Sequence, residues 1–500
     1  MPKPKPKRVI RKPNLIGKAA QVPICSWFDN PAIVVKFRDS VKLPYIDGLE
    51  KYLKERRIGD WGAVRESAPR ATFRRLYRTL KPGQIKEIVA RAVQRDSSYK
   101  PPNLLNYFVL IGQTRAQEGR VVEVLLSWEI VQTAYIAPHA VEPAVNFQNN
   151  PRSPYQRYLE AAPEGIDAKY AWRQQGGDGA GQEVIDLEGG WTLDHEDLID
   201  HGAKTLYGQI IDASCAHGTR VLGVICATDN RKGGVGIAPN VQSVNAVSHS
   251  GDATNIPEAI LAAVQALPFG GVLALEAAAY WTKLALELPV ETDRAVFDNV
   301  RLATAAGIAV VEAAGNWNKD LDDEDLAGFV DGDGKSMLYR DSRNFSDSGA
   351  ILVGSAWARQ PVAGAVTPWS RRPDSNYGSR IDCFGWGENV DTADSKTDPA
   401  TGYPTTADYT FTFDGTSSAT AIVAGAALSV QGMAKLSATF GARLSPKDLR
   451  RVLSDKTNGN TPTLNPPADK IGVMPNLAAI GTNVLELPLP QPGDSIVAPS

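Results

Sequence analysis

The N-terminal part of the chain combines two kinds of hydrophobic pattern. Short segments rich in β-branched and aromatic residues predict β-strands at Ile33–Phe37, Tyr107–Ile111 and Val131–Ile136. Apolar residues at helical spacing predict helices around residues 49–53, 85–93 and 116–128. This mixture predicts a small α+β domain over residues 31–140, and the Pro- and Lys-rich residues 1–30 predict a flexible basic arm before it.

A stretch without periodicity follows this domain. Residues 141–165 carry the turn-forming residues Pro143, Asn149, Asn150, Pro151 and Pro154. Proline and asparagine at this density disfavour both helices and strands. The pattern predicts a linker, which should be exposed to proteolysis.

Strands and helices alternate in the longer C-terminal part. Short segments rich in apolar residues predict strands at residues 184–185, 241–247, 272–275, 308–312 and 351–356. Helices are predicted after His217, over 256–267 with Asn255 as N-cap, near 291–306, from Ser417, and after Ser445. Such alternation predicts an α/β domain over residues 166–482, with a largely parallel sheet covered by helices on both faces. Residues 483–500 form a Pro-rich tail.

The amino-acid composition indicates a globular protein. The 500 residues are 43% hydrophobic and 22% charged, with a net charge of -3, which is typical of a soluble globular protein without a nucleic-acid or membrane partner. No apolar run is long enough to span a membrane, and no signal peptide follows the basic N-terminus, so a cytoplasmic location is expected. The cysteines Cys25, Cys215, Cys226 and Cys383 favour buried thiols, with a Cys215–Cys226 bridge as the alternative.

Four polar residues stand at the ends of predicted elements. Asp186 and Asn316 follow predicted strands, while His217 and Ser417 open predicted helices that are rich in small residues. Each residue alone has a structural interpretation: a strand-terminal carboxylate, a structural histidine, a turn or a helix N-cap. As a set they indicate a reaction centre, because ligands of parallel sheets bind at the carboxyl ends of the strands.

The set matches the chemistry of a serine nucleophile. A serine hydroxyl needs an adjacent base, and that base needs a partner which fixes its tautomer. The tetrahedral intermediate needs a hydrogen-bond donor for its oxyanion. The sequence therefore predicts Ser417 as nucleophile, His217 as general base, Asp186 as the group that orients the base, and Asn316 as the oxyanion donor.

The chain order Asp, His, Ser and the surrounding segments resemble the subtilisin-like serine proteases. The resemblance spans about residues 155–482 and is carried by Val184-Ile-Asp186 with His195-Glu-Asp-Leu198, His217-Gly-Thr219 with Gly233-Gly-Val-Gly-Ile-Ala-Pro239, Ala313-Ala-Gly-Asn316, Ser375-Asn-Tyr-Gly-Ser379, Gly415-Thr-Ser417-Ser-Ala419 and Met474-Pro-Asn-Leu477. The family commonly has Met and a nearby Pro where this chain has Ser418 and Ala421.

The resemblance implies a subtilisin-like α/β fold and a serine endopeptidase that hydrolyses protein or peptide substrates through an acyl-enzyme. No cofactor is required for that chemistry. The resemblance also makes residues 31–140 a ferredoxin-like prodomain that assists folding and inhibits in cis. A subtilisin-like binding protein that is catalytically silent is the alternative. A different α/β hydrolase or a nucleotide-binding protein should carry a Gly-x-Ser-x-Gly elbow or a Gly-rich phosphate loop, and the sequence has neither.

The resemblance also implies residues that bind the substrate and residues that bind a metal ion. The family's substrate-binding strand corresponds to Leu275-Glu-Ala-Ala278, so Glu276, Ala277 and Ala278 are expected at the substrate. Glu276 would either favour basic side chains or be a buried structural carboxylate. A structural calcium site would use Asp197 and Asn230. The acidic insertion Asp320–Gly334 is interpreted as a solvated loop, with a calcium loop as the alternative.

Overall fold

The computed structural model describes residues 33–95, 98–113, 115–136, 145–251, 254–358, 369–437 and 440–487. The chain divides into two units, Met1–Val141 and Glu142–Ser500. The predicted arm, Cys25 and most of the predicted tail lie outside the described residues. Cys215, Cys226 and Cys383 are buried free thiols.

In its described residues, the N-terminal unit contains four strands and four helices. The strands are β1 (Ile33–Phe37), β2 (Thr72–Arg75), β3 (Tyr107–Ile111) and β4 (Val131–Ile136). The helices are α1 (Leu49–Glu55), α2 (Trp61–Ser67), α3 (Pro82–Arg95) and α4 (Arg115–Leu126). The strands form one antiparallel sheet in the order β4-β1-β3-β2, which is the ferredoxin-like order. The hydrophobic pattern does not predict β2, because only Phe73 of its four residues is buried.

Aromatic rings fill the core of this unit. Phe37, Phe73 and Phe108 are fully buried, with ring centroids between 5.7 and 6.3 Å apart. Each ring comes from a different strand, so their contacts fix how β1, β2 and β3 associate.

The C-terminal unit contains the remaining strands and helices. The strands are β5 (Glu183–Glu188), β6 (Lys204–Tyr207), β7 (Ser243–Ser248), β8 (Val272–Leu275), β9 (Ala278–Trp281), β10 (Leu286–Pro289), β11 (Ala309–Ala313), β12 (Ile351–Ala356), β13 (Cys383–Trp386), β14 (Val390–Asp394), β15 (Asp408–Phe413), β16 (Thr461–Pro462) and β17 (Val473–Met474). The helices are α5 (Ala168–Ala171), α6 (Cys215–Cys226), α7 (Ile256–Ala266), α8 (Arg294–Ala305), α9 (Gly415–Leu436), α10 (Pro446–Ser454), α11 (Pro466–Asp469) and α12 (Leu477–Asn483).

Nine of these strands form the central sheet, in the order β16-β17-β13-β12-β11-β8-β5-β7-β6. All neighbouring pairs are parallel except β16 with β17 at the edge. Helices α7 and α8 pack on one face and α6 and α9 on the other, which confirms the predicted α/β architecture.

Helix α9 is the central helix of this unit. Over Gly415–Lys435 it is long and apolar enough to cross a membrane, but 94% of that apolar window is buried inside the protein. The core helix of a soluble protein can have the same length and the same apolar composition. Since its small residues permit close packing, α9 brings its first turn up to the sheet.

The predicted linker belongs in large part to the folded C-terminal unit. Within 145–165, Tyr158 and Leu159 are fully buried, and Gln156 accepts a 2.8 Å hydrogen bond from the N–H of Val235. Short 3₁₀ turns occupy Phe147–Asn149, Ser153–Tyr155 and Arg157–Leu159. The linker prediction is wrong here because such turns have neither helical nor strand periodicity, although they pack well. Residues 137–144 lie outside the described residues.

A fully buried arginine ties the loops beside the sheet together. Arg380 donates to both carboxylate oxygens of Glu291 at 2.7 and 3.0 Å and to Asp382 at 3.1 Å. Arg340 and Arg450 also donate to Asp382. Burial alone would raise the pKa of Asp382, but the surrounding arginines lower it to about 2. Each buried charge therefore has an opposite partner.

Replacing Arg380 by Ala should lower the free energy of unfolding by about 3–5 kcal/mol, because Glu291 and Asp382 would keep buried charges without this partner. Urea unfolding measures the change. The matched control is Arg451→Ala, since Arg451 and its partner Asp448 are largely exposed and such pairs contribute about 0–1 kcal/mol. Equal losses for the two variants would contradict the proposed importance of the buried network.

Candidate active site

Strand β5 places two carboxyl groups on one face of the sheet. Side chains alternate along a strand, so Val184, Asp186 and Glu188 point to the same side. Val184 packs with the core that contains α6 and α9, whereas Ile185 and Leu187 pack with α7 and α8. Both carboxyl groups therefore face the layer that carries His217 and Ser417.

The carboxyl group that contacts His217 belongs to Glu188. Its Oε1 lies 2.6 Å from Nδ1 of His217. The motif predicts Asp186 in this place, and the structure corrects that prediction. Strand β5 continues for two residues beyond Asp186, which at about 3.3 Å per residue carries Glu188 to the end of the strand, beside α6. The period-two pattern of β5 is the sequence signal that could have identified Glu188.

Asp186 lies deeper in the protein and has a different partner. Its Oδ2 accepts a 2.7 Å hydrogen bond from Nε1 of Trp191, and its Oδ1 has no hydrogen-bond partner among the described residues. Burial and then the nearby Glu188 raise the pKa of Asp186 well above its usual value. Asp186 is thus a buried, proton-retaining carboxyl group that fixes the turn after β5.

His217 lies in the first turn of α6. Its side chain is 39% exposed, whereas that of Glu188 is only 6% exposed. The imidazole ring packs edge-on against Phe413, with ring centroids 5.7 Å apart. The next residue must be glycine, because a Cβ at Gly218 would lie 2.4 Å from the carbonyl oxygen of Gly190. This close approach lets α6 deliver His217 to the end of β5.

Two opposing effects set the pKa of His217. Burial lowers it, while the charge of Glu188 and its hydrogen bond raise it, and the net result lies above the ordinary histidine value. The neutral imidazole, which is the form able to accept a proton, therefore predominates only above this raised pKa.

The two serines at the start of α9 have different surroundings. Ser417 is partly exposed. Ser418 is fully buried, and its hydroxyl donates to the carbonyl oxygens of Trp386 and Gly415 at 2.9 and 3.0 Å. Ser418 thus has a structural role, and Ser417 is the hydroxyl available for reaction.

The loop that carries Asn316 is joined to the first turn of α9. The N–H of Thr416 donates to Oδ1 of Asn316 at 2.7 Å, and the N–H of Gly315 donates to the Thr416 hydroxyl at 3.2 Å. Gly315 has a φ of +90°, which favours glycine. Because Oδ1 faces Thr416, the Nδ2 group of Asn316 is the donor that remains for another group near Ser417.

Two residues that the sequence did not assign to the site brace this loop. Glu287 accepts the backbone N–H of Asn316 at 2.8 Å. Asn376 donates its Nδ2 to the carbonyl oxygens of Ala314 and Glu287 at 2.8 and 2.9 Å. Asn376 lies in a segment that resembles the family, but Glu287 lies in the β9–β10 hairpin, which the hydrophobic pattern does not predict.

The residues expected at the substrate differ in exposure. Glu276 is 8% exposed, and neither carboxyl oxygen has a hydrogen-bond partner among the described residues. Burial, then Glu188 and Asp186, raise its pKa well above the usual value, although the nearby Ser417 hydroxyl acts in the opposite direction. Its burial therefore favours the interpretation of Glu276 as a buried carboxyl group over that of a group which binds basic substrate side chains. Ala277 is also buried, and Ala278 is exposed at the start of β9.

Asp197 and Asn230, the residues expected to bind calcium, contact each other through a hydrogen bond. Asp197 accepts hydrogen bonds from the N–H of Gly234 at 3.0 Å and, more weakly, from Nδ2 of Asn230 at 3.4 Å. In this arrangement Nδ2 of Asn230, rather than its oxygen, faces Asp197. In the acidic insertion, Asp331 accepts two backbone N–H groups of its own loop. Among the described residues, no group of three or more His, Cys, Asp or Glu is arranged to hold a metal.

Comparison with known proteins identifies the C-terminal unit. A sequence model described as the subtilase family, peptidase S8, matches residues 185–468, which is more than half of the chain. The chain is similar to a cold-adapted subtilisin-like serine proteinase of known structure, with 21% identity, a TM-score of 0.40 and coverage of 60% of this chain and 88% of that chain. It is also similar to a protease from Pseudoalteromonas arctica, with 18% identity, a TM-score of 0.47 and coverage of 67% and 99%.

Replacing Glu188 by Gln should lower the pKa of His217, because the burial effect would no longer be opposed by a carboxylate at Nδ1. NMR titration of the His217 ring protons measures this pKa, and a His217→Gln variant assigns the signal. Asp186→Asn is the control and should change the pKa less, since Asp186 contacts Trp191 instead. A larger decrease for Asp186→Asn than for Glu188→Gln would restore Asp186 as the orienting group.

Proposed function

We propose a mechanism for this chain from the premise that it belongs to the subtilase family and is a serine-type peptidase. The proposed reaction is hydrolysis of internal peptide bonds of protein or peptide substrates through an acyl-enzyme. The observation that carries the proposal is the 2.6 Å hydrogen bond between His217 and Glu188, on a sheet face whose opposing helix carries Ser417 in its first turn.

The first step forms the acyl-enzyme. Oγ of Ser417 attacks the carbonyl carbon of the scissile bond while Nε2 of His217 accepts the hydroxyl proton. Nδ1–H of His217 donates to Glu188, which holds the imidazole in the required tautomer and stabilises the imidazolium that forms.

The negative charge of the tetrahedral intermediate needs fixed donors. Nδ2 of Asn316 is one, because its Oδ1 is already directed at Thr416. The backbone N–H of Ser417 is the other, since the first N–H groups of a helix have no acceptor within that helix. Loss of one such donor costs about 3–4 kcal/mol of transition-state stabilisation.

Collapse of the intermediate completes acylation. His217 returns the proton to the leaving amine, and the C–N bond breaks. A water molecule then attacks the acyl group with His217 again as base, which releases the carboxylic acid and restores Ser417. Each step uses only protein groups and water.

We also propose that the backbone of Ala277 and Ala278 contacts an extended substrate. Ala278 begins β9, which lies in a two-stranded sheet with β10, and exposed strand edges bind extended peptides through main-chain hydrogen bonds. The N-terminal unit, residues 31–140, is proposed to act on the C-terminal unit in cis as a prodomain.

Replacing Ser417 by Ala should abolish labelling by a fluorophosphonate probe and lower the turnover rate by several orders of magnitude, because His217 would have no nucleophile to activate. Ser418→Ala is the matched control and should still be labelled, since the Ser418 hydroxyl is directed at backbone carbonyls. Labelling that requires Ser418 would contradict the assignment. Failure to label folded wild-type protein after removal of the N-terminal unit would favour the silent binding protein.

Mature enzyme should begin between Ile136, where β4 ends, and Val145, which is buried in the C-terminal unit. A cut farther along would break packed turns, such as the one that contains Tyr158 and Leu159. Mass spectrometry of purified, probe-labelled protein locates the first residue. A fully active enzyme with an intact N-terminus would contradict the proposed prodomain.

A further inference from the structure

Glu276 is a buried carboxyl group for which the mechanism above has no use. Both of its oxygens are buried without a hydrogen-bond partner among the described residues. An unpartnered polar group in a protein interior is costly, so it needs an explanation in function or in protonation state.

The sheet register places Glu276 beside Glu188. Strands β5 and β8 are parallel, Leu187 is paired with Leu275, and the N–H of Glu276 donates to the carbonyl oxygen of Leu187 at 3.3 Å. The next residues, Glu188 and Glu276, are therefore neighbours on strands that lie about 4.8 Å apart.

Both carboxyl groups face the helices that carry the His/Ser pair. In β8, Val272 and Ala274 pack with the core around α6 and α9, while Leu273 and Leu275 pack on the opposite side. Alternation directs Glu276 to the same side as Ala274. Glu188 contacts His217 of α6, and the Ser417 hydroxyl of α9 lies near enough to Glu276 to lower its pKa, against the effect of burial.

Two adjacent buried carboxyl groups cannot both carry a negative charge without a large penalty. The negative charge of Glu188 is stabilised by its hydrogen bond with His217. Asp186, on the same face of β5, has the Trp191 N–H. Glu276 has no such partner, and it faces both of these carboxyl groups. The proton therefore resides on Glu276, in agreement with its raised pKa.

We propose that Glu276 is a further catalytic residue, which acts as a neutral carboxylic acid and donates a hydrogen bond to Oγ of Ser417. The proposal rests on the proposed function of Ser417. A serine oxygen that accepts from Glu276 keeps its own hydrogen for another acceptor, and His217 is the base available. Glu276 thus directs the Ser417 hydrogen toward His217, and its own proton is not consumed.

Loss of the Glu276 proton would reverse the direction of its hydrogen bond with Ser417. An ionised Glu276 would accept the Ser417 hydrogen in competition with His217, and it would place a negative charge near the developing oxyanion. Turnover by the wild-type enzyme should therefore decline on the alkaline side, as Glu276 ionises.

The test compares Glu276→Gln, which is neutral at every pH and keeps an N–H donor, with Glu276→Met, which has similar length and no donor. We expect Glu276→Gln, which can still donate a hydrogen bond, to retain more of the neutral-pH kcat than Glu276→Met and to lose the alkaline decline. Glu276→Met should lower kcat by about tenfold or more, with little change in KM. Glu312→Gln and Glu312→Met are matched controls, because Glu312 is also fully buried with a raised pKa but contacts the N–H of Glu291.

Infrared difference spectroscopy gives a second measurement that does not depend on turnover. The spectrum of Ser417→Ala at neutral pH minus that of Ser417→Ala with Glu276→Gln should contain a carboxylic acid C=O band. Absence of that band, or a Glu276→Met enzyme with wild-type kcat and pH profile, would overturn the proposal. Wild-type protein that fluorophosphonate fails to label would instead refute the proposed function, whatever the spectrum shows.

Discussion

The arrangement of the candidate active site follows from the cost of burying negative charge. Asp186, Glu188 and Glu276 lie on one face of two adjacent parallel strands, beneath helices α6 and α9. In such surroundings each carboxyl group must find a partner or retain a proton. Glu188 pairs with His217, and the pKa values of Asp186 and Glu276 are raised. The cost of burying negative charge therefore also favours the protonated forms of Asp186 and Glu276 near Ser417.

Elsewhere beside the same sheet, buried carboxyl groups are kept ionised by arginine partners. Around Arg380, buried carboxylates are balanced by arginines, which lower the pKa of Asp382 to about 2. Charge pairing there joins loops that need no chemical reactivity. Near Ser417, none of Asp186, Glu188 and Glu276 pairs with an arginine of the described residues. The raised pKa values of Asp186 and Glu276 favour their protonated forms, which keeps hydrogen-bond donors near the reacting groups.

Contacts from distant segments of the chain hold the loop that carries Asn316, the proposed oxyanion donor. Asn316 follows β11, but its position depends on Thr416 in α9, on Glu287 in the β9–β10 hairpin and on Asn376 in a later loop. These contacts fix the donor before substrate binds, and preorganised donors stabilise developing charge without reorganisation. Asn316, Thr416 and Asn376 each lie in a local motif, but their mutual contacts depend on packing, and Glu287 lies in none of these motifs.

The sequence by itself determined the family, the α/β fold and most strands and helices, and it supplied His217, Ser417 and Asn316 as candidate site residues. These follow from periodicity and from short motifs, whose signal is local. Tertiary structure decided which carboxyl group meets His217, because the length of β5 and the Trp191 contact with Asp186 select Glu188. It also decided that residues 145–165 pack as turns and that Glu276 is buried beside Glu188. Those outcomes depend on register and packing between separate segments, which no local pattern specifies.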